Sequence, residues 1–381
     1  MQKLNEVTSL AHPETISSRY KSIGGFTTGF DYLRIGLACA VVFQHSFLAS
    51  YGHSSNSYIW ADWHRVFFAP ILLMFFALSG FLVAGSLKKN PSVTSFVTLR
   101  AVRLVPALAI EILLSALLLG PVLTVLPLSE YFSSKTFYAY FANIVGHIRF
   151  FLPGVFLDNP AAKFVNISLW TVPYELECYL ALICLWLSGV IKRRAAVVGI
   201  TAAVILAGTV SAFFEYDHGW ANNAPLPRSL IAAFLVGLCI NLYADRVRLN
   251  WQIACACLAG LILTTVGYQT VYLAAGFAAY IVVYLGMMNP AKKSFLFSGD
   301  YSYGLYLFAF PIQQTYSLLF PEHRVWYLNF FFAMVFGLVY AAFSWWVIEK
   351  PVLSKKKKIV DYAEQYTSRF EARFQIRRFS R

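Results

Sequence analysis

Charge is what this sequence has least of. Of its 381 residues only 13% are Asp, Glu, Lys or Arg, against roughly one quarter in soluble domains. With 59% hydrophobic and 17% aromatic residues, that shortage excludes a soluble globular domain and points to a polytopic membrane protein. Acidic residues are scarcest, 18 against 31 basic, for a net charge of +13. The excess does not argue for nucleic acid, because basic residues confined to loops between apolar runs are what the positive-inside rule produces. Cysteine is sparse too. All six (Cys39, Cys178, Cys184, Cys239, Cys255, Cys257) lie within apolar runs, where they act as small hydrophobes. Cys255 and Cys257 are two apart and so lie on different helix faces, which leaves neither a disulfide framework nor a metal site. The first 29 residues lack the apolar core of a cleavable signal peptide, so the first span is expected to be an uncleaved anchor. No internal repeat at solenoid spacing and no soluble domain after the last span are visible.

What is abundant is apolar runs long enough to cross a bilayer. Ten occur, at about 30–50, 66–87, 103–127, 168–191, 195–214, 228–244, 252–268, 270–288, 299–320 and 325–348. An all-α membrane bundle follows, divided into an N-terminal segment 1–29, a transmembrane domain 30–350 and a basic tail 351–381. With a cytoplasmic N-terminus, the inside segments carry 24 Lys and Arg: three before span one, four at 88–103, three at 192–194, two at 246–248, two at 292–293 and ten from Lys350 onward. The outside loops carry six, and Arg34 lies within span one. That asymmetry places both termini in the cytoplasm. "FYAYFANIVGHIRFFLPGVF", 137–156, is apolar but falls in an outside loop, and is expected to be a re-entrant or interfacial piece packed on protein. The tail is partly amphipathic and basic, suited to anionic headgroups.

Against this background a few polar residues need a reason. Arg34 and His45 are eleven residues apart in span one, about 1100° of helical rotation, so they share a face about 16 Å apart along the axis. An arginine at the interface can snorkel or pair with Asp31. A histidine near mid-membrane is rare and faces a polar interior, either as a hydrogen-bonding partner of a neighbouring helix or as a base for a hydroxyl. "TLRAVRLVPAL" sets Arg100 and Arg103 three apart on one face at the cytoplasmic side, a pair that suits phosphate but also fits topology alone. In "NISLWTVPYELECYL", Glu175 and Glu177 are two apart and diverge by about 200°, so only one can face the site His45 faces. Trp170, Tyr174 and Tyr179 surround Glu175 in sequence, as in a sugar-binding surface or an interfacial aromatic belt. "NIS" at 166–168 also fits a glycosylation acceptor.

Six short elements, taken together and in order, resemble the acyltransferase 3 family of integral membrane acyltransferases: "DYLRIGLACAVVFQH", "MFFALSGFLVAGS", "RAVRLVPAL", "SLWTVPYELECYL", "GDYSYGLYLFAFPIQQ" and "VIEKP". The resemblance implies a helix bundle of a bacterial cytoplasmic membrane that moves an acyl group, most often acetyl, from cytoplasmic acyl-coenzyme A to a carbohydrate hydroxyl of an envelope glycan. It implies that His45 is the essential histidine, with Arg34 its partner in the motif. By the same match Arg100 and Arg103 bind the donor, and Glu175 is the acid of the tryptophan-containing motif; the aromatic residues around it, Trp170, Tyr174 and Tyr179, are expected on the acceptor side from their sugar-binding character. Acyl-coenzyme A is then a substrate rather than a resident cofactor. The other expected partners are a carbohydrate acceptor, free or lipid-linked, and membrane lipids. Many relatives carry a C-terminal serine-esterase-like domain, whereas this sequence ends in the basic tail. Two other classes compete: a transporter of a glycan or lipid-linked sugar, and a structural membrane scaffold in which Arg34 and His45 are replaceable.

Overall fold

The computed structural model describes residues 14–60, 62–89, 92–217, 226–292 and 299–379. The first 13 residues of the N-terminal segment, Lys293 and the last two residues of the tail lie outside the described residues. Among those described, the architecture is helical, without a strand; one isolated backbone bridge joins Thr15 to Arg248.

Each of the ten apolar runs is a helix. In chain order they are α1 (Gly29–Tyr51), α2 (Arg65–Lys89), α3 (Val93–Leu123), α4 (Ile167–Leu187), α5 (Arg194–Phe214), α6 (Ser229–Leu242), α7 (Trp251–Val266), α8 (Val271–Gly286), α9 (Ser302–Leu319) and α10 (Trp326–Ser354). The basic tail forms α11 (Lys356–Phe379). Six of them (α1 to α5 and α10) are long and apolar enough to cross a membrane by length and composition, against the ten expected. The reasons are physical. Helices α6, α7 and α8 have 14, 16 and 16 residues, which at about 1.5 Å per residue reach roughly 21–24 Å, short of a hydrocarbon core of about 30 Å. Helix α9 has the length, but Gln313, Gln314, Thr315 and Ser317 dilute its apolar character. Boundaries shift as well. Helix α3 begins ten residues before its expected start because the Ser92 hydroxyl caps it by accepting from Ser95 N–H at 3.2 Å.

The described chain divides into two compact units. One comprises 14–40, 54–84 and 174–292 and holds the N-terminal part of α1, most of α2 and α4, and α5 to α8. Its tightest crossing is α2 on α6. A Cβ on Gly80 would fall on the carbonyl of Phe234, and one on Gly237 on the carbonyl of Ala77, so the backbones touch, as in small-residue crossings of membrane helices. Asn241 reinforces the crossing by donating to Phe81 O at 2.9 Å. Arg65, expected as an outside-loop cation, opens α2 with only 1% exposure, its guanidinium 5.2 Å from the Tyr268 ring centroid and 5.9 Å from that of Trp60. All six cysteines are free.

The second unit comprises 41–53, 85–173 and 299–379. It holds the C-terminal part of α1, α3, the connection to α4, α9, α10 and α11. Helix α9 is its hub: Gln313, Gln314 and Ser317 are fully buried and spend their polar atoms on other elements. Gln313 donates to Val42 O (2.8 Å) and Ser317 to Ala49 O (2.7 Å), both on α1. Gln314 donates to Ala161 O and Phe164 O (both 2.6 Å), and Asn329 of α10 donates to Gln313 O (3.0 Å). The segment 137–156 is no crossing helix. It is the end of one short helix, Lys135–Tyr140, a 3-10 turn, Phe141–Val145, and irregular backbone. Buried Asn143 holds it together by donating to Tyr140 O (2.8 Å) and Arg149 O (2.9 Å) and accepting from Arg149 N–H (2.7 Å). Its Tyr140, Val155 and Phe156 pack with Ala107, Leu108 and Ile112 of α3, so irregular backbone rests on protein, as expected.

Candidate active site

His45 lies on α1, which runs unbroken from Gly29 to Tyr51 and so carries Arg34 and His45 on a single regular helix. The imidazole is half-buried. Its Nδ1 lies 3.4 Å from Ser168 Oγ, and its ring meets Phe310 edge-on with centroids 5.4 Å apart. Phe310, Gln313 and Ser317 fall at i, i+3 and i+7 of α9, and His45, Val42 and Ala49 answer them along one face of α1. The helix presenting His45 is therefore held at carbonyls on either side of it. With Nδ1–H donating to Ser168, Nε2 carries the lone pair, the tautomer a base for a hydroxyl needs.

Ser168 sits in the 3-10 turn Ile167–Thr171 that opens α4, and Asn166 caps that turn by accepting from Ser168 N–H at 3.1 Å. Asn166 is fully buried. It donates to Leu307 O (2.8 Å) and to Oε1 of Glu111 on α3 (2.9 Å), which also accepts from Ser115 Oγ (2.8 Å). Tyr306 of α9 donates to Ser168 O (3.0 Å) and bonds Thr171 Oγ1 (2.7 Å). The glycosylation pattern at Asn166 thus has another explanation: the amide is inaccessible and caps a turn. Glu111 belongs to no recognisable motif. The only signal was an acid in an otherwise apolar run, the kind of residue that warrants a reason in a membrane helix.

The two arginines of the R-x-x-R element have different surroundings. Arg103 is clamped by two acids, its Nη2 2.6 Å from Asp300 Oδ2 and its Nη1 3.2 Å from Glu349 Oε2. Ser302 donates to Asp300 (2.7 Å) and Ser344 to Glu349 (3.1 Å). Arg100 has its guanidinium 6.0 Å from the Phe96 ring centroid, and its buried Nε has no hydrogen-bond partner among the described residues. Both acids stand in quoted elements, "GDYSYG" and "VIEKP", yet neither was assigned a role from the sequence. A π turn lies beside each cluster, Ser115–Leu119 in α3 and Ser344–Glu349 in α10, a distortion frequent at functional sites.

Trp170 belongs to the same unit as His45 and is half-buried. Arg34, Tyr174, Glu175 and Tyr179 belong to the other unit. There Glu175 is half-buried and accepts from Tyr179 OH one turn later, whereas Glu177 is exposed, the divergence their spacing requires.

A family model described as an acyltransferase domain matches residues 27–350. The chain belongs to the acyltransferase 3 family, and with its long apolar helices it is an integral membrane protein of the acyl-transfer class. It is 29% identical over 360 residues to a protein named nodulation protein 10 from Rhizobium leguminosarum bv. viciae, covering 88% of this chain and 96% of that one. It is 26% identical over 316 residues to one named O-acetyl transferase from Shigella phage Sf6, covering 74% of this chain and 84% of that one. No solved structure matches it.

Proposed function

We propose that this protein is a membrane O-acyltransferase that moves an acyl group, acetyl in the simplest case, from cytoplasmic acyl-coenzyme A to a hydroxyl of an envelope or exported carbohydrate. In this reading it lies in a bacterial cytoplasmic membrane with both termini inside and ten spans, the bilayer thinning around the short α6, α7 and α8. The observation that carries the reading is His45, an imidazole in a membrane helix whose Nδ1 is engaged by Ser168 and whose Nε2 is left for chemistry. Family membership and the phage relative's name favour acyl transfer over transport.

The proposed step is direct. His45 Nε2 takes the proton of the acceptor hydroxyl as its oxygen attacks the thioester carbonyl; the C–O bond forms, the C–S bond breaks, and the imidazolium returns its proton to the departing thiolate. Arg100 contacts the donor phosphates directly, and Arg103, fixed by its two acids, holds the frame that presents Arg100. Arg34 extends the face of α1 toward the donor. Glu175, with Trp170, Tyr174 and Tyr179, serves the carbohydrate.

The test is label transfer from acetyl-coenzyme A to an envelope glycan extract, with thiol release measured in parallel. His45→Ala should abolish both while the protein remains folded in detergent. Glu175→Gln should lose turnover and keep donor affinity, and Glu177→Gln should be mild. A transporter would release no thiol, and normal ester formation by His45→Ala would end the assignment of the base.

A further inference from the structure

We infer that Glu111 is a positioning residue for His45, acting through Asn166 and the turn that carries Ser168. The inference rests on the reading of His45 as the base. Glu111 is fully buried in an apolar helix of 31 residues, where an ionisable group is unfavourable and marks a function. Its Oε1 is occupied by Ser115 and Asn166. The Asn166 amide is thereby saturated: one N–H goes to Glu111, the other to Leu307 O, and Oδ1 accepts from Ser168 N–H. Turning that amide over would leave three polar partners unmatched, so Glu111 helps fix which way the cap faces. The cap fixes the 3-10 turn, and the turn fixes the hydroxyl that meets His45 Nδ1. A displaced Ser168 would release the ring to rotate and to change tautomer.

The second carboxyl oxygen tells the same story from the other side. Glu111 Oε2 is buried with no hydrogen-bond partner among the described residues. A glutamine at 111 would keep the acceptor that Asn166 and Ser115 use and replace only the second oxygen, which accepts no hydrogen bond from the described residues. Glu111→Gln is therefore the conservative variant, and Glu111→Leu the one that removes the anchor.

The experiment measures acetyl transfer by folded protein in detergent for Glu111→Gln, Glu111→Leu, Asn166→Asp, Ser168→Ala and His45→Ala. We expect Glu111→Gln to stay within about threefold of wild type, and Glu111→Leu to lose on the order of 10- to 100-fold in kcat with KM for acetyl-coenzyme A changed less than about twofold, as for a misplaced catalytic group. Asn166→Asp keeps the acceptor for Ser168 N–H and loses the donor to Glu111; its loss should not add to that of Glu111→Leu. Full activity in Glu111→Leu, equal loss in Glu111→Gln and Glu111→Leu, or additivity of Glu111→Leu with Asn166→Asp would each overturn the inference. If Glu111→Leu does not fold, Asn166→Asp and Ser168→Ala decide: lowered kcat at constant KM supports it, and unchanged kcat in both overturns it. His45→Ala separates the two readings. An active His45→Ala removes base and positioning residue together, whereas a dead His45→Ala beside a fully active Glu111→Leu removes only the latter.

Discussion

Arg103→Ala is the most informative substitution outside the His45 centre, because the two arginines of the R-x-x-R element should fail in different ways. Removing the guanidinium leaves Asp300 and Glu349, which both reach it now, without their shared cation; their side chains are 27% and 2% exposed. Breaking a buried ion pair by deleting one partner costs about 3–5 kcal/mol. Arg103 itself is 22% exposed, so solvent screens part of the loss, and about 2–4 kcal/mol is the reasoned range. At about 2–4 °C per kcal/mol for domains of 150–250 residues, the melting point should fall by roughly 4–16 °C. Arg100→Ala loses a ring contact worth about 0.5–1 kcal/mol and should melt within roughly 4 °C of wild type. Its defect should instead lie in the donor, with affinity for acyl-coenzyme A falling more than affinity for an analogue lacking the phosphates. The assay is heating in detergent followed by size-exclusion chromatography, with donor binding measured on the folded fraction. Glu349→Gln introduced beside Arg103→Ala removes the more deeply buried orphaned charge and should recover part of the melting point. If Arg103→Ala melts like Arg100→Ala and loses donor affinity equally, the clamp is not structural and both arginines are phosphate ligands.

Two further outcomes test the packing and the tail. Gly237→Leu should drive α2 and α6 apart, since its first side-chain carbon already lands on the Ala77 carbonyl; a loss of at least about 3 kcal/mol should appear as a collapsed yield of monodisperse protein, while Gly36→Ala, with nothing within 4 Å of its added carbon, should be silent. Glu364 of α11 accepts from Ser95 Oγ at 2.7 Å, and hydrogen bonds from Ser95 and Ser92 hold its carboxyl below the ordinary glutamate range. Because the folded value is depressed, the stabilisation is complete above the ordinary value of about 4.3 and is lost as pH falls through the folded one. Protection factors across 356–369, exchange rates divided into the intrinsic rate at each pH, should therefore fall in acid for wild type, and Glu364→Gln should show lower protection at pH 7 and lose that acid response.

How far the sequence could be read follows from what each feature depends on. The helices were legible because backbone inside a bilayer must satisfy its own hydrogen bonds, so apolar runs declare themselves as helices. The irregular segment 137–156 was legible as an exception by the same rule, and six of the ten runs proved long and apolar enough to cross by themselves. That Arg34 and His45 stand on one helix was legible from the unbroken apolar run between them, and on one helix spacing determines facing. The partners of Arg103 were not, since Asp300 and Glu349 follow it by 197 and 246 residues and no local periodicity links them. Asn166 illustrates the opposite difficulty: a local pattern offered a ready explanation, glycosylation, and its bond to Glu111 spans 55 positions.

Membrane helices gain little from burying apolar surface against one another, since lipid is as apolar as leucine, so polar contacts and close packing must set their register. Several buried polar side chains of the second unit do that work. Gln313, Gln314, Ser317 and Asn329 each donate to backbone carbonyls of a neighbouring element, an arrangement that fixes one helix against another. His45 departs from that rule. It bonds a side-chain hydroxyl rather than a carbonyl, uses one ring nitrogen and keeps the other, and stands on the stretch of α1 that Gln313 and Ser317 hold on either side. A histidine retained only for register would be better placed to donate to a carbonyl, as its neighbours do. The polar residues around it therefore separate into those that lock α1 and α9 and those that aim the ring, Ser168, Asn166 and Glu111, and only the second set should lower kcat in protein that still folds.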